Sequence, residues 1–314
     1  METTGNKLCN DHGIALITVL LATALVAIMA VGMTSAQQIS IRRTTSLLEG
    51  DQAMLLAQGL EEWAIQLLIR DRREGNNDNL GEDWAMGLIP TSVENGTIAG
   101  QIIDLQGRIN INNLNAGNEQ IIAQTQDILT RLFNICEVEN AHNSVAALGD
   151  WLDADSETRP GGAEDQTYLL RQPAYRTGNR LMLSPSELRL IEGITPDNYQ
   201  CLAGHVTALP YATAVNINTA NAMVITALIN GVTFAEAEEI IRDRPGSGYE
   251  NTAAFLAHPA LAGSGMTSNG LSLSSNFFLV QGDSFFGNSE IHLNSVLVRR
   301  PATVEVLARS VGTY

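Results

Sequence analysis

The feature that most constrains this chain is a segment near its start, from Ile14 to Ile41, in which no side chain carries a charge. A helix rises about 1.5 Å per residue, so about 20 apolar residues match the ~30 Å hydrocarbon core of a bilayer. Residues 14–36 are therefore predicted to form a membrane-spanning helix. A short polar leader, residues 1–13, precedes this segment and ends in Gly13.

A cleaved secretory signal peptide is the alternative interpretation of this segment. Small residues at Thr34, Ser35 and Ala36 suit a signal peptidase, which would release a protein that begins at Gln37. Two observations oppose this alternative. The leader is not distinctly basic, and the apolar segment is longer than the apolar region of a usual signal peptide.

A helical pattern continues beyond the apolar segment. After Arg42 and Arg43, apolar residues recur at steps of three and four without a proline until about Ile69. One helix is therefore predicted to lie in the membrane at its start and to pack on a folded domain at its end. The adjacent Glu61 and Glu62 on this helix are interpreted as solvated side chains rather than as a catalytic acid–base pair.

The remainder of the chain divides into a first β segment, a long helical part and a second β segment. Residues 100–111 are predicted to form a strand, a turn at Gly107 and a second strand. Residues 71–79 are predicted to form a polar loop. Helices are predicted between Asn118 and about Gly263. Two of these have capping boxes, at Ser184 with Glu187 and at Thr233 with Glu236.

From Ser275 the pattern becomes that of a three-stranded antiparallel meander, with strands near 277–280, 290–298 and 303–308. Turns are predicted at Gly282–Asp283, Gly287–Asn288 and Arg300–Pro301. The fold class is therefore α+β, with a long N-terminal helix on an antiparallel sheet that a helical insertion interrupts. The predicted pieces are residues 37–112, the inserted domain 113–270, and residues 271–314.

Charge and motifs limit the possible functions. The chain has 34 acidic and 18 basic residues and a formal net charge of −16, and such a surface repels nucleic acid phosphates. Residues 215–249 nevertheless resemble the helix-hairpin-helix repeat of DNA-binding competence proteins, which makes a membrane-tethered DNA-uptake protein the second hypothesis. The flanking acidic residues favour a purely structural hairpin. No known catalytic motif is present, so no enzymatic activity is predicted.

Two of the three cysteines are predicted to form a disulfide. Cys9 lies in the leader, and Cys136 and Cys201 remain as a pair in a domain that is predicted to be exported. Two buried free thiols are the alternative. Metal binding by this pair is not favoured, because neither cysteine has a second cysteine or a histidine at a metal-site spacing.

An acidic loop after residue 152 is the candidate metal site. Asp153, Asp155, Glu157 and Glu164 have the spacing of calcium ligands in an EF-hand, positions 1, 3, 5 and 12. Thr158 occupies the position of the usual glycine, so the loop is interpreted as a calcium loop of different geometry. Weaker candidate ligands flank these four residues, namely Asp150 and Asp165. A solvated acidic turn is the alternative.

The start of the chain resembles type IV pilins and pseudopilins. The resemblance rests on a polar leader ending in Gly13, an apolar start at Ile14 and a two-part helix. It implies that a prepilin peptidase cleaves between Gly13 and Ile14 and that the new Ile14 amine is methylated. Most pilins have a glutamate at the fifth mature residue, which here is Thr18. A threonine cannot neutralise the amine of a neighbouring subunit.

The run from Asp104 to Leu114 closely matches a signature of the minor pseudopilin K family of type II secretion, which also lacks that glutamate. The resemblance implies a type IV pilin-like fold with an inserted all-α domain that contains helix-hairpin-helix (SAM-like) elements. It also implies structural calcium in that insertion, which favours the metal interpretation of the acidic loop.

The functional implications of this resemblance concern assembly rather than chemistry. The chain would cap the tip of the pseudopilus with the minor pseudopilins I and J, and would support assembly and the export of folded periplasmic proteins across the outer membrane. Its single span would lie in a Gram-negative inner membrane, with the C-terminal domain in the periplasm. Other implied partners are the inner-membrane assembly platform, the prepilin peptidase and the secreted substrates.

Overall fold

The computed structural model describes residues 11–312, with side chains from Ile14 onward. The predicted leader lies mostly outside these residues. Helix α1, Asp11–Glu74, is continuous for 64 residues and extends beyond the predicted end near Ile69. Its apolar side chains from Ile14 to Met33 are exposed. In the described part of the chain, α1 is the one helix that is long and apolar enough to cross a membrane.

A five-stranded antiparallel sheet packs against the second half of α1, in the order β1-β2-β7-β8-β9. The last three strands are the predicted meander. The strands of the sheet are β1 (Leu88–Val93), β2 (Gly96–Asp104), β7 (Phe277–Phe286), β8 (Ser289–Arg299) and β9 (Val304–Val311). Two segments that are far apart in sequence, before and after the helical insertion, therefore share one sheet through the β2–β7 pair.

The predicted turn at Gly282–Asp283 is wrong, because both residues lie inside β7 and pair with β8. Gly282 serves helix packing instead. A Cβ atom at this position would lie 2.4 Å from Leu60 Cδ2, and one at Gly100 would lie 2.5 Å from the same atom. Two neighbouring glycines thus form a shallow recess in the sheet that receives a leucine of α1.

The predicted strand, turn and strand over 100–111 is confirmed, because β2, a turn that includes Gly107 and a short second strand follow one another. After β2 the side chain of Asp104 accepts a hydrogen bond from the backbone N–H of Gln106 and begins a 3-10 turn at Leu105–Gly107. The next strand, β3 (Ile109–Asn110), does not pair with β2. It pairs in parallel with β4 (Val206–Thr207) in the helical part. Asp104 therefore stands where the chain leaves the sheet.

The helical part lies between β2 and β7 in sequence and has its own apolar core, which includes Phe133, Leu148, Tyr168 and Phe255. Its helices are α2 (Glu119–Ile135), α3 (Ala141–Leu152), α4 (Asp165–Tyr168), α5 (Pro196–Leu202), α6 (Ala222–Leu228), α7 (Phe234–Arg242) and α8 (Thr252–Leu256). A second short parallel pair joins β5 (Val215–Asn216) to β6 (Leu271–Ser272).

The two predicted capping boxes have different outcomes. Thr233 and Glu236 form a capping box at the start of α7, and Gly231, with φ of 81°, forms the hairpin between α6 and α7. At Ser184 the predicted cap is present, because its side chain accepts a hydrogen bond from the Ser186 backbone N–H and Pro185 follows it, but the capping box is absent. The segment Pro185–Leu190 is a 3-10 helix, and Glu187 accepts a hydrogen bond from the backbone N–H of Leu183 instead of closing a box.

Candidate functional site

The acidic loop joins two helices of the inserted part. Asp153 is the C-terminal cap of α3, and Glu164 is the N-terminal cap of α4. Carboxylate oxygens of Asp153, Asp155 and Glu164 lie within 4.8 Å of one another. Among the described residues, Asp153 Oδ1 and Glu164 Oε1 are buried and have no hydrogen-bond partner. An unpartnered buried carboxylate oxygen is costly, so two in one cluster would be stabilised by a positively charged ligand.

The electrostatics of this cluster suit a hard cation. Burial raises the pKa of Asp153, although the nearby Arg159 opposes this effect. Burial also raises the pKa of Glu164, and a hydrogen bond from the Thr177 hydroxyl opposes it. All three ligand groups offer oxygen, which Ca²⁺ prefers. The residues present therefore fit a calcium ion, which would neutralise the carboxylates and satisfy the orphaned oxygens.

The other predicted ligands have different surroundings. Asp150 is fully buried and accepts a hydrogen bond from Arg159 Nη1 at 2.9 Å. Asp165 accepts hydrogen bonds from Arg176 and from Thr177. The exposed Glu157 is not part of the three-carboxylate cluster. Asp150 thus organises the loop through Arg159, which also forms an ion pair with Asp153 at 2.7 Å.

The predicted cysteine pair is joined in the structure. The Cys136–Cys201 disulfide connects the C-terminal cap of α2 to α5, and 65 positions separate the two cysteines in sequence. Beside this bond, Asn198 of α5 donates a hydrogen bond to the Cys136 carbonyl at 2.9 Å. The disulfide and this hydrogen bond therefore fix the same two helices to each other.

The sequence-based interpretation of Glu61 is wrong. Glu61 is 4% exposed and faces the sheet, where Arg309 of β9 donates two hydrogen bonds to it, at 2.8 and 2.7 Å. Ser295 of β8 donates a third. The hydrogen bonds and charge of Arg309 outweigh burial and keep the pKa of Glu61 below its usual value. A sequence signal for this role exists, because Glu61 is in helical register with the buried Ala57, Ala64 and Leu68.

A second buried charge cluster was also missed, in the segment predicted as a polar loop. Arg299 of β8 is buried and forms ion pairs with Asp71 of α1, at 2.7 Å, and with the buried Asp78. Burial raises the pKa of Asp71 to about 6, and the nearby carboxylates of Glu82 and Asp78 add to this effect against the attraction of Arg299. The Asp71–Arg299 ion pair therefore connects the end of α1 to the sheet.

The same cluster joins the sheet to the helical part. Asn216 of β5 donates hydrogen bonds to Asp104 Oδ2, at 2.9 Å, and to the Asp78 carbonyl, at 3.0 Å. Ser275 and Thr219 also donate hydrogen bonds to Asp104. Burial raises the pKa of Asp104, while these hydrogen bonds oppose the rise. A single buried polar junction thus connects α1, the sheet and the insertion.

The predicted filament-register residue lies on the exposed apolar part of α1. The Thr18 hydroxyl donates a hydrogen bond to the Ala15 carbonyl at 2.9 Å, so its polarity is satisfied within the helix. Ile14 is 62% exposed. Cleavage between Gly13 and Ile14, and methylation of Ile14, remain predictions.

Comparisons with known proteins agree with one another. Two family models described as type II secretion system protein K match this chain, one at residues 107–211 and the other at residues 215–274. The type II secretion system protein K of Klebsiella pneumoniae is 34% identical over 97% of this chain and 97% of its own. That of Pseudomonas aeruginosa is 33% identical over 96% of this chain and 93% of its own.

A solved structure is also similar. The crystal structure of the GspK–GspI–GspJ complex from the type 2 secretion system of enterotoxigenic Escherichia coli contains a chain with a TM-score of 0.78 and 27% identity, and the match covers 87% of this chain and 100% of that one. The profile matches, the full-length relatives and the shared fold lead to one conclusion. The chain belongs to the type II secretion system protein K family.

Proposed function

We propose that this protein caps the tip of a type II secretion pseudopilus together with the minor pseudopilins I and J. One observation carries the proposal. The exposed apolar segment, which is long enough to span a membrane, belongs to the same helix that packs on the pilin-like sheet, and a large helical part is inserted between two strands of that sheet. The apolar segment would pack against the helices of neighbouring subunits. The similar chain of known structure is part of a complex with GspI and GspJ, which supports the same partners here.

The position at the tip agrees with two features of the chain. The large insertion between β2 and β7 would leave no room for another subunit above it. Thr18 stands where most pilins have a glutamate, whose carboxylate neutralises the N-terminal amine of a neighbouring subunit. A subunit at the top of the stack has no neighbour above it, so it does not need that carboxylate.

The proposed membrane topology is a single span in a Gram-negative inner membrane, with residues 14–36 in the bilayer and the C-terminal domain in the periplasm. The prepilin peptidase would remove residues 1–13 and methylate Ile14, and the inner-membrane assembly platform would then take up the subunit. The disulfide of the helical part supports this location, because disulfides persist in the oxidising periplasm. Residues 113–270 are proposed to form one inserted domain.

The acidic loop is proposed to hold a structural calcium ion through Asp153, Asp155 and Glu164. Calcium would supply the positive charge that lets these carboxylates stay together without protons. The proposal includes no catalytic step, and the protein would act through packing and position. Secreted substrates would be met at the exposed end of the filament.

The helix hairpin of α6 and α7 is proposed to be structural rather than to bind DNA. A DNA-binding hairpin presents free backbone amides beside basic side chains. Here α7 carries three glutamates, Glu236, Glu238 and Glu239. The nearby Arg244 donates hydrogen bonds to the carbonyls of Asn218, at 2.9 Å, and Ala220, at 2.6 Å. Its guanidinium group is therefore engaged within the domain.

Co-purification of the full-length protein with the I and J subunits tests this proposal. All three proteins would be expressed together with the prepilin peptidase, extracted in mild detergent and isolated through a tag on the K subunit. We expect a complex that contains both partners, in which mass spectrometry finds methylated Ile14 at the mature N-terminus. A soluble product that begins at Gln37 and binds neither partner would instead identify a secreted protein.

A further inference from the structure

The segment of α1 between the predicted membrane span and the folded body has an unusual charge distribution. Arg42 and Arg43 are the only basic residues from Ile14 to Ile69. Both are exposed, and within residues 14–312 neither guanidinium group forms an ion pair. Contacts with the body begin further along the helix, where Glu49 accepts a hydrogen bond from the Asn288 backbone N–H at 3.1 Å.

The length of the helix fixes the height of the arginine pair above the inner face of the membrane. The 28 uncharged residues from Ile14 to Ile41 span about 42 Å as a helix. A bilayer with its headgroups is ~40–45 Å thick. With Ile14 at the cytoplasmic face, Arg42 and Arg43 therefore lie in the outer headgroup layer. Glu49, at the base of the body, lies about 10 Å higher.

Charge complementarity identifies the ligand at that height. The protein as a whole is strongly acidic, with a formal net charge of −16, so an anionic bilayer surface repels its body. Arg42 and Arg43 differ from this acidic body because they are positively charged and lie at the level of the lipid phosphates. Guanidinium groups bind phosphate oxygens with paired hydrogen bonds, and each basic residue near an anionic surface adds to membrane binding.

We propose that Arg42 and Arg43 form a binding site for the phosphate groups of anionic phospholipids in the outer leaflet. This inference rests on the membrane topology proposed above. The site would hold the subunit at a fixed depth before it enters a filament, with the acidic body separated from the membrane surface by the bare helix between Arg43 and Glu49.

The chain offers a matched control for the test. Arg72 and Arg73 are a second adjacent pair on the same helix, also without an ion-pair partner in the described part of the chain, but about 45 Å further along it. The double variants Arg42→Gln/Arg43→Gln and Arg72→Gln/Arg73→Gln remove the same charge. Neither pair belongs to the buried clusters that hold α1 on the sheet, so both variants should keep the fold.

The full-length protein would be reconstituted into nanodiscs of phosphatidylcholine with one fifth phosphatidylglycerol, released in mild detergent, and its retained lipids counted by native mass spectrometry. We expect the wild type and Arg72→Gln/Arg73→Gln to retain phosphatidylglycerol preferentially. Loss of Arg42 and Arg43 should lower that preference about tenfold, and high salt should lower it in the wild type. Soluble glycerol phosphate at the same concentration should not compete, because the site lies at the bilayer surface.

Three outcomes would overturn the inference. The first is equal phosphatidylglycerol retention in all three proteins. The second is an equal loss of phosphatidylglycerol in both double variants. The third is an Arg42→Gln/Arg43→Gln variant that no longer binds the I and J subunits but retains as much phosphatidylglycerol as the wild type. The last would assign the pair to carboxylates of a neighbouring subunit. Flotation with liposomes tests the proposed membrane span separately. A protein that does not float with the liposomes lacks that span, which contradicts the proposed topology rather than the lipid site alone.

Discussion

Two ion pairs between α1 and the sheet, each with one buried partner (Glu61 or Arg299), decide how the helix packs on the domain. Glu61 with Arg309, and Asp71 with Arg299, are placed at two heights along the same helix. Between them lies an apolar contact formed by residues such as Leu68, Trp84 and Phe278. Apolar packing alone would tolerate sliding of the helix, whereas the bidentate pair that Arg309 forms with Glu61 has one preferred geometry. The charges therefore specify the register of the helix on the sheet.

Replacement of Glu61 tests this role at a single residue. Glu61→Ala leaves Arg309 and Ser295 without their shared acceptor, and we expect a loss of about 2–3 kcal/mol in the free energy of unfolding. The neighbouring Glu62→Ala should change it by less than about 0.5 kcal/mol, because Glu62 is exposed and, among the described residues, its carboxylate accepts a hydrogen bond only from Gln66. Urea unfolding followed by tryptophan fluorescence measures both. Equal effects of the two substitutions would contradict the role of Glu61.

Asp71 should make stability depend on pH. Its pKa is raised to about 6 in the folded protein from an ordinary value of 3.8, so the folded state binds the proton more tightly than the unfolded state. The contribution of this group is then greatest below pH 4 and is lost as the pH rises through 6. Because water reaches part of the carboxyl group, we expect a loss of about 1–2 kcal/mol. Unfolding curves from pH 4 to 7.5 should show this fall in the wild type and a smaller one in Asp71→Asn.

At the scale of elements, the approach of α1 to β2 and β7 depends on the glycine recess that receives Leu60. Gly282→Ala would place a Cβ atom 2.4 Å from Leu60 Cδ2, so either the Leu60 side chain or the helix that carries it must shift. We expect a loss of about 1–3 kcal/mol in thermal or urea unfolding. Gly204→Ala is the control, since no atom lies within 4 Å of its added Cβ. A neutral Gly282→Ala substitution would show that the contact is looser than described.

The acidic loop should respond to calcium as one element. Addition of calcium to the chelator-treated protein should raise the thermal midpoint of unfolding by about 3–6 °C. The variants Asp153→Asn and Glu164→Gln should lose this response. Glu157→Gln should retain it, because the Glu157 carboxylate lies outside the three-residue cluster. A calcium response that survives both Asp153→Asn and Glu164→Gln would mean that the ion binds elsewhere.

Periodicity predicted the elements better than it predicted their connections. The long helix, the final meander and the helical insertion follow from apolar spacing over many residues. The partner of β3 could not be predicted, because it is set by contacts with Val206 and Thr207, far away in sequence. The turn at Gly282 was predicted wrongly, because the sequence does not distinguish a glycine in a turn from a strand glycine on which a distant leucine packs.

The candidate site was predicted in outline. Spacing along the chain identified the acidic loop, but only the fold separates Asp153, Asp155 and Glu164 from Asp150, both of whose carboxylate oxygens accept hydrogen bonds from Arg159. Buried charges were the main omission. Asp78 and Arg299 come together from opposite ends of the sequence, so no local pattern indicates that they pair.

For the whole molecule, the buried junction of Asp78, Asp104 and Asn216 makes α1, the sheet and the helical insertion a connected unit. A force on the apolar segment of α1 can therefore pass through the sheet to the insertion. This arrangement suits the proposed position at the tip of the filament. There the apolar helix would pack among the helices of other subunits, and the sheet and the helical insertion would lie above them.

The most direct test of this account is the location of the protein in isolated pseudopili. A peptide tag placed after Tyr314 would be labelled with gold and viewed by electron microscopy. The account predicts one label at one end of each filament. Labels distributed along the filament length would contradict it, because they would show that further subunits stack above the inserted domain.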